Sequence, residues 1–273
     1  MQRKLQLRAL VHLRIMNRSA AVRALREKLR SGGISVGSWM QLPEASIAEI
    51  LASGQFDWVT LDLEHGQIGY EKLPDLFRAI ESKEKLGFAR LIAGNEIECK
   101  RALDAGAAGL IIPMVESAEQ MSAIMSFSKW PPAGRRGVAF SRANLFGREF
   151  TTYIEEAQSP FIVPMIESIK AVKDLESICS VPGIDALLVG PYDLSASMGA
   201  VGEFESAAFL GAMDRILQIA EQHGIPCGIH VVQPNKLEVQ TRIRGGFRFI
   251  AYSLDVVVLS AFSSSLVIEE LGK

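Results

Sequence analysis

The sequence predicts a (β/α)8 barrel, or TIM barrel. From Ile34 onward, eight short apolar segments alternate with eight segments of helical periodicity. These units occupy about 240 residues, the usual size of such a barrel. Strands that alternate with helices indicate an α/β fold with a parallel sheet. A doubly wound open sheet is the competing architecture, and it is disfavoured because no GxGxxG motif follows the first strand.

Each predicted strand is short and apolar on both faces. Strands of a parallel sheet need this pattern when helices cover one side and packed side chains fill the other. In chain order the predicted strands are Val36–Trp39, Trp58–Asp62, Phe88–Ile92, Leu110–Pro113, Phe161–Ile166, Ala186–Val189, Cys227–Val231 and Phe249–Tyr252.

The segments between the strands have apolar residues at helical intervals. The predicted helices are Glu44–Ser53, Tyr70–Glu81, Glu96–Asp104, Ser117–Phe127, Ser168–Ile178, Glu205–His223, Gln233–Arg244 and Asp255–Leu271. The stretch from Ser128 to Thr152 lacks clean periodicity, and a loop this long in a compact domain is usually functional.

The chain divides by charge into two parts. Residues 1–30 hold nine Lys and Arg residues and one acid, Glu27, whereas residues 31–273 hold 20 basic and 30 acidic residues. We therefore expect a basic N-terminal extension with a leading helix, Ala20–Leu29, followed by one barrel domain over residues 31–273. The extension resembles a transit peptide or a nucleic-acid-binding arm in composition, but we favour a start at Met16 followed by the amphipathic helix.

Composition excludes several classes of protein. No uncharged apolar run reaches 18 residues, so a membrane-spanning helix is not expected. Three widely spaced cysteines argue against a disulfide scaffold and a thiolate zinc site, and they favour a reducing, cytoplasmic location. The net charge of −2 gives no overall attraction to nucleic acid. We therefore expect a small-molecule substrate, with no nucleic-acid or membrane partner.

Polar residues lie at the ends of several predicted strands. In a (β/α)8 barrel the active site is at the carboxyl ends of the strands, so sequence position predicts which side chains meet at one rim. These residues are Asp62, Glu64, His65, Arg90, Glu167, Asp193 and His230.

The residue types at this rim suit one kind of chemistry. Glu167 and Asp193 can share a hard divalent cation, which is often held by only one or two carboxylates with water and substrate oxygens. Arg90 offers a planar fork for a carboxylate or an oxyanion. His65, with Asp62 or Glu64 nearby, offers a base, although a purely structural histidine is the alternative. Together they can bind a 2-oxo acid, polarise its carbonyl and stabilise an enolate.

Several of these residues also have a structural explanation. Asp193 and Glu167 are suited to helix N-termini. Arg90 in an apolar strand needs a partner, which Glu64 or Asp104 can supply in an ion pair. Structural roles explain each residue singly better than they explain the whole set, because unrelated structural roles seldom place so many polar residues at one end of a barrel. No lysine closes a strand and no GxSxG motif is present, which disfavours Schiff-base and serine-nucleophile chemistry.

The sequence resembles the HpcH/HpaI family of metal-dependent, class II pyruvate aldolases over roughly residues 30–260. The matching residues and segments are Phe56–Trp58, Asp62-x-Glu64-His65, Arg90, Ala102–Ala107, Ile112–Val115, Pro131–Gly137, Ile166–Ser168 and Gly190–Gly199. The last of these, together with the PPAGxRG loop, is the most specific part of the match.

The resemblance implies both a cofactor and a substrate. Family members bind Mg²⁺, Mn²⁺ or Co²⁺ through a Glu and an Asp, here Glu167 and Asp193, and pyruvate or its enolate chelates the metal. The pyruvate carboxylate is held at the turn formed here by Gly190 and Pro191, through backbone N–H groups near Tyr192 and Asp193.

The resemblance also implies residue roles and an assembly. Arg90 matches the arginine that stabilises the enolate oxygen. His65 matches the histidine of the acid–base apparatus, with Asp62 and Asp104 in supporting roles. The resemblance also implies a homo-hexamer, built as a trimer of dimers that exchange the last helix. The predicted last helix, Asp255–Leu271, is apolar enough for that exchange.

Two positions depart from the family pattern. Met165 stands where many members carry Gln, two residues before the metal-binding Glu. His230 stands where strand seven usually ends with an aliphatic residue, at the aldehyde end of the pocket. A titratable donor there favours a polar or anionic acceptor, and a hydrogen bond to the strand-eight segment near Tyr252 is the alternative. Arg142, in the long loop, is a second candidate contact for the distal end of the substrate, or a surface residue.

We therefore expect reversible retro-aldol cleavage of a 4-hydroxy-2-oxo acid to pyruvate and an aldehyde. One alternative is a Claisen-type condensation or cleavage on an acyl-CoA or a 2-oxo acid, for which Arg135, Arg136 and Arg148 are candidate CoA contacts. The other is a barrel that has lost turnover and works as a binding module.

Overall fold

The structure, a computed structural model, describes residues 16–265. Eight parallel strands pair in sequence order and close into a barrel through pairing of the last strand with the first. The strands are β1 (Ser35–Met40), β2 (Trp58–Asp62), β3 (Leu86–Arg90), β4 (Gly109–Ile112), β5 (Phe161–Ile166), β6 (Leu187–Val189), β7 (Cys227–Val231) and β8 (Phe249–Leu254). The predicted (β/α)8 barrel is confirmed, and each strand lies within two residues of its predicted bounds.

Helices precede β1 and follow every strand. They are α1 (Arg18–Arg30), α2 (Ala45–Ala52), α3 (Leu73–Glu81), α4 (Glu96–Ala105), α5 (Ala118–Ser128), α6 (Phe150–Ala157), α7 (Ile169–Lys173), α8 (Leu175–Cys179), α9 (Pro191–Ser197), α10 (Ala207–Gln222), α11 (Lys236–Arg244) and α12 (Asp255–Ser263). A 3-10 segment occupies Arg142–Gly147. None of the helices within residues 16–265 is long and apolar enough to cross a membrane.

Four features differ from the sequence-based expectation. The predicted helix Ser168–Ile178 is divided into α7 and α8 at Asp174, whose carboxylate accepts the N–H of Ala118 at the start of α5. The stretch Ser128–Thr152, predicted as a loop, contains the 3-10 segment and the start of α6. α9 was not predicted. The last helix ends at Ser263 within the described residues; the end of the predicted helix, with Leu266 and Leu271, lies outside them, and its exchange between subunits stays a prediction.

Four aromatic rings fill the barrel at the amino-terminal end of its strands. Trp58, Phe88, Phe161 and Phe249 are fully buried. Ring centroids lie 4.6 Å apart for Trp58 and Phe249 and 5.2 Å apart for Phe88 and Phe161. A Cβ on Gly37 of β1 would collide with the ring of Trp58, so a glycine there makes room for this layer.

The leading helix closes this end of the barrel. Val22, Leu25 and Leu29 of α1 are buried in the same cluster as the four rings. Arg26 on the same helix donates to both carboxylate oxygens of Asp185, at 2.7 and 3.0 Å. The predicted helix Ala20–Leu29 is therefore confirmed, and it packs against the barrel floor. The opposite end, where the strands have their carboxyl termini, is left for the site.

We expect Gly37→Ala to lower the free energy of unfolding by about 1–3 kcal/mol, because the new methyl group overpacks the layer at Trp58. Gly211→Ala is the matched control. Gly211 lies in α10 with no atom within 4 Å of an added Cβ, and alanine favours a helix, so stability is expected to rise by up to about 1 kcal/mol. Urea denaturation measures both variants. An equal effect of the two substitutions would contradict the packing described for the floor.

Candidate active site

The carboxyl ends of the strands bring most of the predicted site residues to one rim. Asp62 and Arg90 are the last residues of β2 and β3, Glu167 follows β5 directly, and His230 lies one residue before the end of β7. Residues 190–193 follow β6 and open α9. Because parallel strands end at the same edge of the barrel, these residues surround one opening.

Asp62 and Arg90 form a buried bidentate ion pair. They are partners in the β2–β3 register, and Nε and Nη2 of Arg90 donate to Oδ1 and Oδ2 of Asp62 at 2.9 and 2.7 Å. Gln41 Nε2 donates to Oδ2 at 2.8 Å, and the N–H groups of Glu64 and His65 donate to Oδ1. Burial alone raises the pKa of Asp62, but its hydrogen bonds and the charge of Arg90 place that pKa below its usual value. The ionised carboxylate holds the guanidinium in one orientation.

Arg90 has two further neighbours at the rim. Its Nη1 lies 3.0 Å from Oε2 of Glu64, and its guanidinium lies over Trp39, 5.2 Å from the ring centroid. Burial raises the pKa of Glu64, although the charge of Arg90 opposes this effect. The partner expected for Arg90 was Glu64 or Asp104; the structure provides Glu64, and adds Asp62.

Glu167 is nearly fully buried. One of its carboxylate oxygens accepts a hydrogen bond from the backbone, and the other faces a glycine. Oε1 accepts the N–H of Met114 at 2.7 Å. Met114 follows β4 with a φ of 52°, in the left-handed region that residues other than glycine rarely adopt, and Gln120 Nε2 donates to its carbonyl at 3.1 Å. On the other side, a Cβ on Gly190 would lie 2.5 Å from Oε2. The second carboxylate oxygen therefore faces a backbone that has no side chain.

Asp193 adds an exposed carboxylate in the first turn of α9. The pKa of Glu167 is raised to about 7; burial is the largest cause, the charges of Asp193 and Glu64 contribute, and the hydrogen bond from Met114 opposes them. Carboxylates that repel one another in this way are stabilised by a hard divalent cation. Glu167 and Asp193 therefore fit such a cation as two of its ligands. No group of three or more His, Cys, Asp and Glu side chains within residues 16–265 has the arrangement of a metal site.

The turn after β2 presents His65 at the rim. His65 is exposed, and its backbone N–H donates to Asp62 at 3.2 Å. A Cβ on the next residue, Gly66, would collide with the carbonyl oxygen of Asp62, so glycine permits this tight turn. The imidazole is accessible to a ligand bound beside Arg90.

His230 is held neutral between two strands. Its ring stacks on Trp39 with centroids 4.9 Å apart, and Nε2 lies 3.3 Å from the carbonyl oxygen of Ser253. Burial, and to a lesser degree the charge of Arg90, lowers the pKa of His230 to about 4. In the neutral ring Nε2 donates to Ser253 and Nδ1 remains an acceptor. The structure shows the alternative, a hydrogen bond to the strand-eight segment near Tyr252, and a preference of His230 for a polar or anionic acceptor stays a prediction.

The turn after β6 offers backbone donors. Pro191 begins α9 directly after Gly190. The first N–H groups of a helix, here those near Tyr192 and Asp193, have no acceptor within the helix. Tyr192 is 55% exposed. This arrangement is compatible with the predicted contact to a substrate carboxylate.

Asp104 and Arg142 do not join the rim of this chain. Both lie at the opposite face, where helices lead back to the starts of strands. Asp104, in the last turn of α4, has Oδ1 4.0 Å from Nε of Arg136. Arg142 forms an ion pair with Glu81 at the end of α3 and lies 3.3 Å from the carbonyl oxygen of Ala105. The expectation that either residue meets the predicted site is wrong for the chain by itself, because both occupy helix-to-strand connections.

Sequence reasoning missed three residues of the rim. Trp39 and Gln41, at the end of β1, contact Arg90, His230 and Asp62; an inspection of the first strand end would have found them. Met114 contributes a backbone N–H to Glu167, which no side-chain pattern indicates.

Comparisons with known proteins agree with this geometry. The model of the family described as HpcH/HpaI aldolase/citrate lyase matches residues 35–261. A 4-hydroxy-2-oxovalerate aldolase of Novosphingobium aromaticivorans is 36% identical over 236 residues, which are 86% of this chain and 89% of the relative.

Two solved structures share the fold. An HpcH/HpaI aldolase/citrate lyase family protein from Burkholderia cenocepacia has a TM-score of 0.83 and 31% identity, over 92% of this chain and 99% of that protein. The citrate lyase beta subunit of M. tuberculosis, complexed with oxaloacetate and magnesium, has a TM-score of 0.52 and 17% identity, over 82% of this chain and 93% of that protein. The second likeness shows the fold alone.

We expect His230→Gln to reduce the loss in the free energy of unfolding that occurs as pH falls below 7. The unfolded chain protonates His230 near its ordinary pKa of 6.5, whereas the folded protein does so only near 4, so the unfolded state binds more protons between these values. Stability therefore falls as pH falls through this window. Glutamine keeps a donor for Ser253 and does not titrate.

Urea denaturation at pH 7 and pH 4 measures the effect. The loss in the free energy of unfolding between the two pH values should be about 2–3 kcal/mol smaller in His230→Gln than in the wild type. His223→Gln, at an exposed histidine, is the control. Parallel profiles for wild type and His230→Gln would show that His230 is not held neutral by the fold.

Proposed function

The chain belongs to the HpcH/HpaI aldolase/citrate lyase family and is a carbon–carbon lyase, and we propose that its rim is the site of catalysis. The reaction is the reversible retro-aldol cleavage of a 4-hydroxy-2-oxo acid to pyruvate and an aldehyde. The observation that carries the assignment of the site is the buried Arg90, fixed by Asp62 beside the carboxylates of Glu167 and Asp193.

Glu167 and Asp193 are the proposed ligands of a divalent cation, Mg²⁺, Mn²⁺ or Co²⁺. The buried carboxylate of Glu167, with one oxygen facing Gly190, and the mutual repulsion of the two carboxylates support this proposal. When bound, such a cation polarises a substrate carbonyl and stabilises negative charge on its oxygen. In this proposal the backbone N–H groups near Tyr192 and Asp193, in the turn formed by Gly190 and Pro191, bind the substrate carboxylate.

Arg90 stabilises the enolate oxygen in this proposal. Its Nε and Nη2 donate to Asp62 and its Nη1 lies 3.0 Å from Glu64, which leaves one N–H on each of Nη1 and Nη2 as a charge-assisted donor. Because the guanidinium is already fixed, little reorganisation is needed as negative charge develops. Asp62 contacts Arg90 rather than substrate, so it is a positioning residue.

His65 is the proposed base for the proton transfer. In the cleavage direction it removes the proton of the C4 hydroxyl, the C3–C4 bond breaks, and the electron pair of that bond passes to the pyruvate enolate. The aldehyde leaves, and a proton returns to C3 of the enolate. The exposure of His65 at the rim, next to the residues that hold Arg90, supports this role.

No observation favours the acyl-CoA alternative. Arg135, Arg136 and Arg148 were its candidate CoA contacts. They lie in the connection from α5 to β5, on the face opposite the rim, and Arg136 is fully buried against Trp130 and Tyr153. The presence of Arg90 at the rim also argues against a barrel that has lost turnover and works only as a binding module.

Exchange of the pyruvate methyl protons in D₂O, followed by NMR, tests the enolate half of the reaction without knowledge of the aldehyde. We expect exchange with Mg²⁺, Mn²⁺ or Co²⁺, and its loss with EDTA. Glu167→Gln and Asp193→Asn should each lower the rate at least about 100-fold. Glu49→Gln, on the outside of the barrel, is the matched control.

The outcomes separate the proposals. Full exchange in either carboxylate variant would contradict the assignment of the metal ligands. Absence of exchange with every metal would contradict the function as a whole.

We expect Arg90→Lys to lower kcat by about 100-fold or more with little change in KM. A lysine is a point charge that cannot hold both oxygens of Asp62 and also donate to the enolate. Arg26→Lys is the matched control, because Arg26 forms a similar bidentate pair with Asp185 far from the rim. Steady-state kinetics measure both variants. A change confined to KM would make Arg90 a binding residue only.

A further inference from the structure

A cavity of about 220 Å³ opens beside the rim, between the segments that follow β6 and β7. The residues that matter for its chemistry are Tyr192, Phe204, Phe209, His230, Glu238 and Arg242. The proposed reaction of the pyruvate half uses none of Phe204, Phe209, Glu238 and Arg242.

We propose that this cavity binds the aldehyde half of the substrate and selects an aryl aldehyde whose ring carries a neutral oxygen substituent. In the cleavage direction the substrate is then a 4-aryl-4-hydroxy-2-oxo acid. This inference rests on the proposed function and specifies the acceptor that the function leaves open.

The cavity adjoins the proposed pyruvate site on two sides. Tyr192 immediately precedes Asp193 in the first turn of α9. His230 stacks on Trp39, and the same Trp39 lies beneath the guanidinium of Arg90, 5.2 Å away. A pyruvate enolate between Arg90 and Asp193 therefore has the cavity as its neighbour.

One wall of the cavity consists of aromatic rings. Phe204 meets Tyr192 nearly edge-on, with centroids 5.1 Å apart and an interplanar angle of 82°. Phe204 and Phe209 are tilted by 52° with centroids 5.3 Å apart. Tyr192 is 55% exposed, so aromatic surface remains uncovered. Offset and edge-to-face contacts of this kind favour a third ring over a small aliphatic group.

The charged residues of the cavity select a neutral substituent. Arg242 Nη2 lies 3.1 Å from Oε1 of Glu238, so the two charges are paired. Nε of Arg242 is buried and has no hydrogen-bond acceptor within residues 16–265. The rest of the Arg242 guanidinium lines the cavity, and an N–H group that Glu238 does not engage can donate to an oxygen substituent, whereas a ring carboxylate would also meet the charge of Glu238.

The test compares acetaldehyde, benzaldehyde and 3-hydroxybenzaldehyde, whose phenol is neutral at pH 7, as acceptors for pyruvate with the metal-loaded wild type. We expect kcat/KM to increase in that order. Phe204→Ala should lower kcat/KM for benzaldehyde about 5- to 10-fold, and that for acetaldehyde less than about 2-fold. Phe140→Ala, at an exposed aromatic residue on the opposite face, is the matched control and should change neither.

A second variant tests the polar contact. Arg242→Met should remove the advantage of 3-hydroxybenzaldehyde over benzaldehyde and leave benzaldehyde within about 2-fold of the wild type. Phe204→Leu keeps an apolar side chain at the wall; it serves if Phe204→Ala fails to fold, and it should also lower the preference for benzaldehyde over acetaldehyde.

Pyruvate proton exchange in the same preparations separates this inference from the proposed function. Normal exchange together with equal use of acetaldehyde and benzaldehyde would overturn the cavity assignment alone. Normal exchange with an aryl preference that survives Phe204→Ala and Phe204→Leu would also overturn it. Loss of exchange in the wild type would overturn the function on which the inference rests.

Discussion

The ion pair between Asp62 and Arg90 is the interaction on which the rim depends. Two charges buried in a protein lose hydration, and the pair is favourable only when its geometry is good and its remaining hydrogen-bonding groups are satisfied. Here Gln41 and two backbone N–H groups complete the coordination of Asp62. Because Asp62 and Arg90 are register partners in β2 and β3, the pairing of these two barrel strands also orients the guanidinium. Fold and site therefore share one constraint.

The strands and most of the rim could be predicted because the barrel converts position in sequence into position in space. Runs that are apolar on both faces identify parallel strands, and the residue that ends each run then lies at the rim. Glu167 followed from this rule, whereas Arg90 lay inside its predicted strand and stands at the end of the observed β3. Asp104 and Arg142 came from a motif match and from the length of a loop. Neither argument distinguishes a strand-to-helix turn from a helix-to-strand connection, and the latter lies at the opposite face.

Other parts of the site depend on contacts that residue type does not encode. Met114 acts through a backbone N–H that its left-handed conformation directs at Glu167. The pKa of His230 is lowered by burial against Trp39, which lies on a strand distant in sequence. The sequence shows only that residue 230 is a histidine, which ordinarily titrates near neutral pH, whereas in the folded protein its lowered pKa keeps the ring neutral there. Such effects follow from packing between strands, so they require the assembled barrel.

The groups proposed to stabilise the enolate and those proposed to contact the aldehyde lie mostly on different elements of the fold. This separation explains how one scaffold can keep its chemistry while its aldehyde acceptor changes. Except for Asp193 in the first turn of α9, the groups proposed to stabilise the enolate stand on or next to β2, β3 and β5, where ladder hydrogen bonds and the Asp62 pair hold them in place. The groups proposed to contact the aldehyde stand mainly in the segment after α9, in α10 and in α11, outside the ladder. Side chains such as Phe204 and Arg242 can be replaced there without disturbing Arg90. Binding energy for the acceptor is thus physically separable from stabilisation of the enolate.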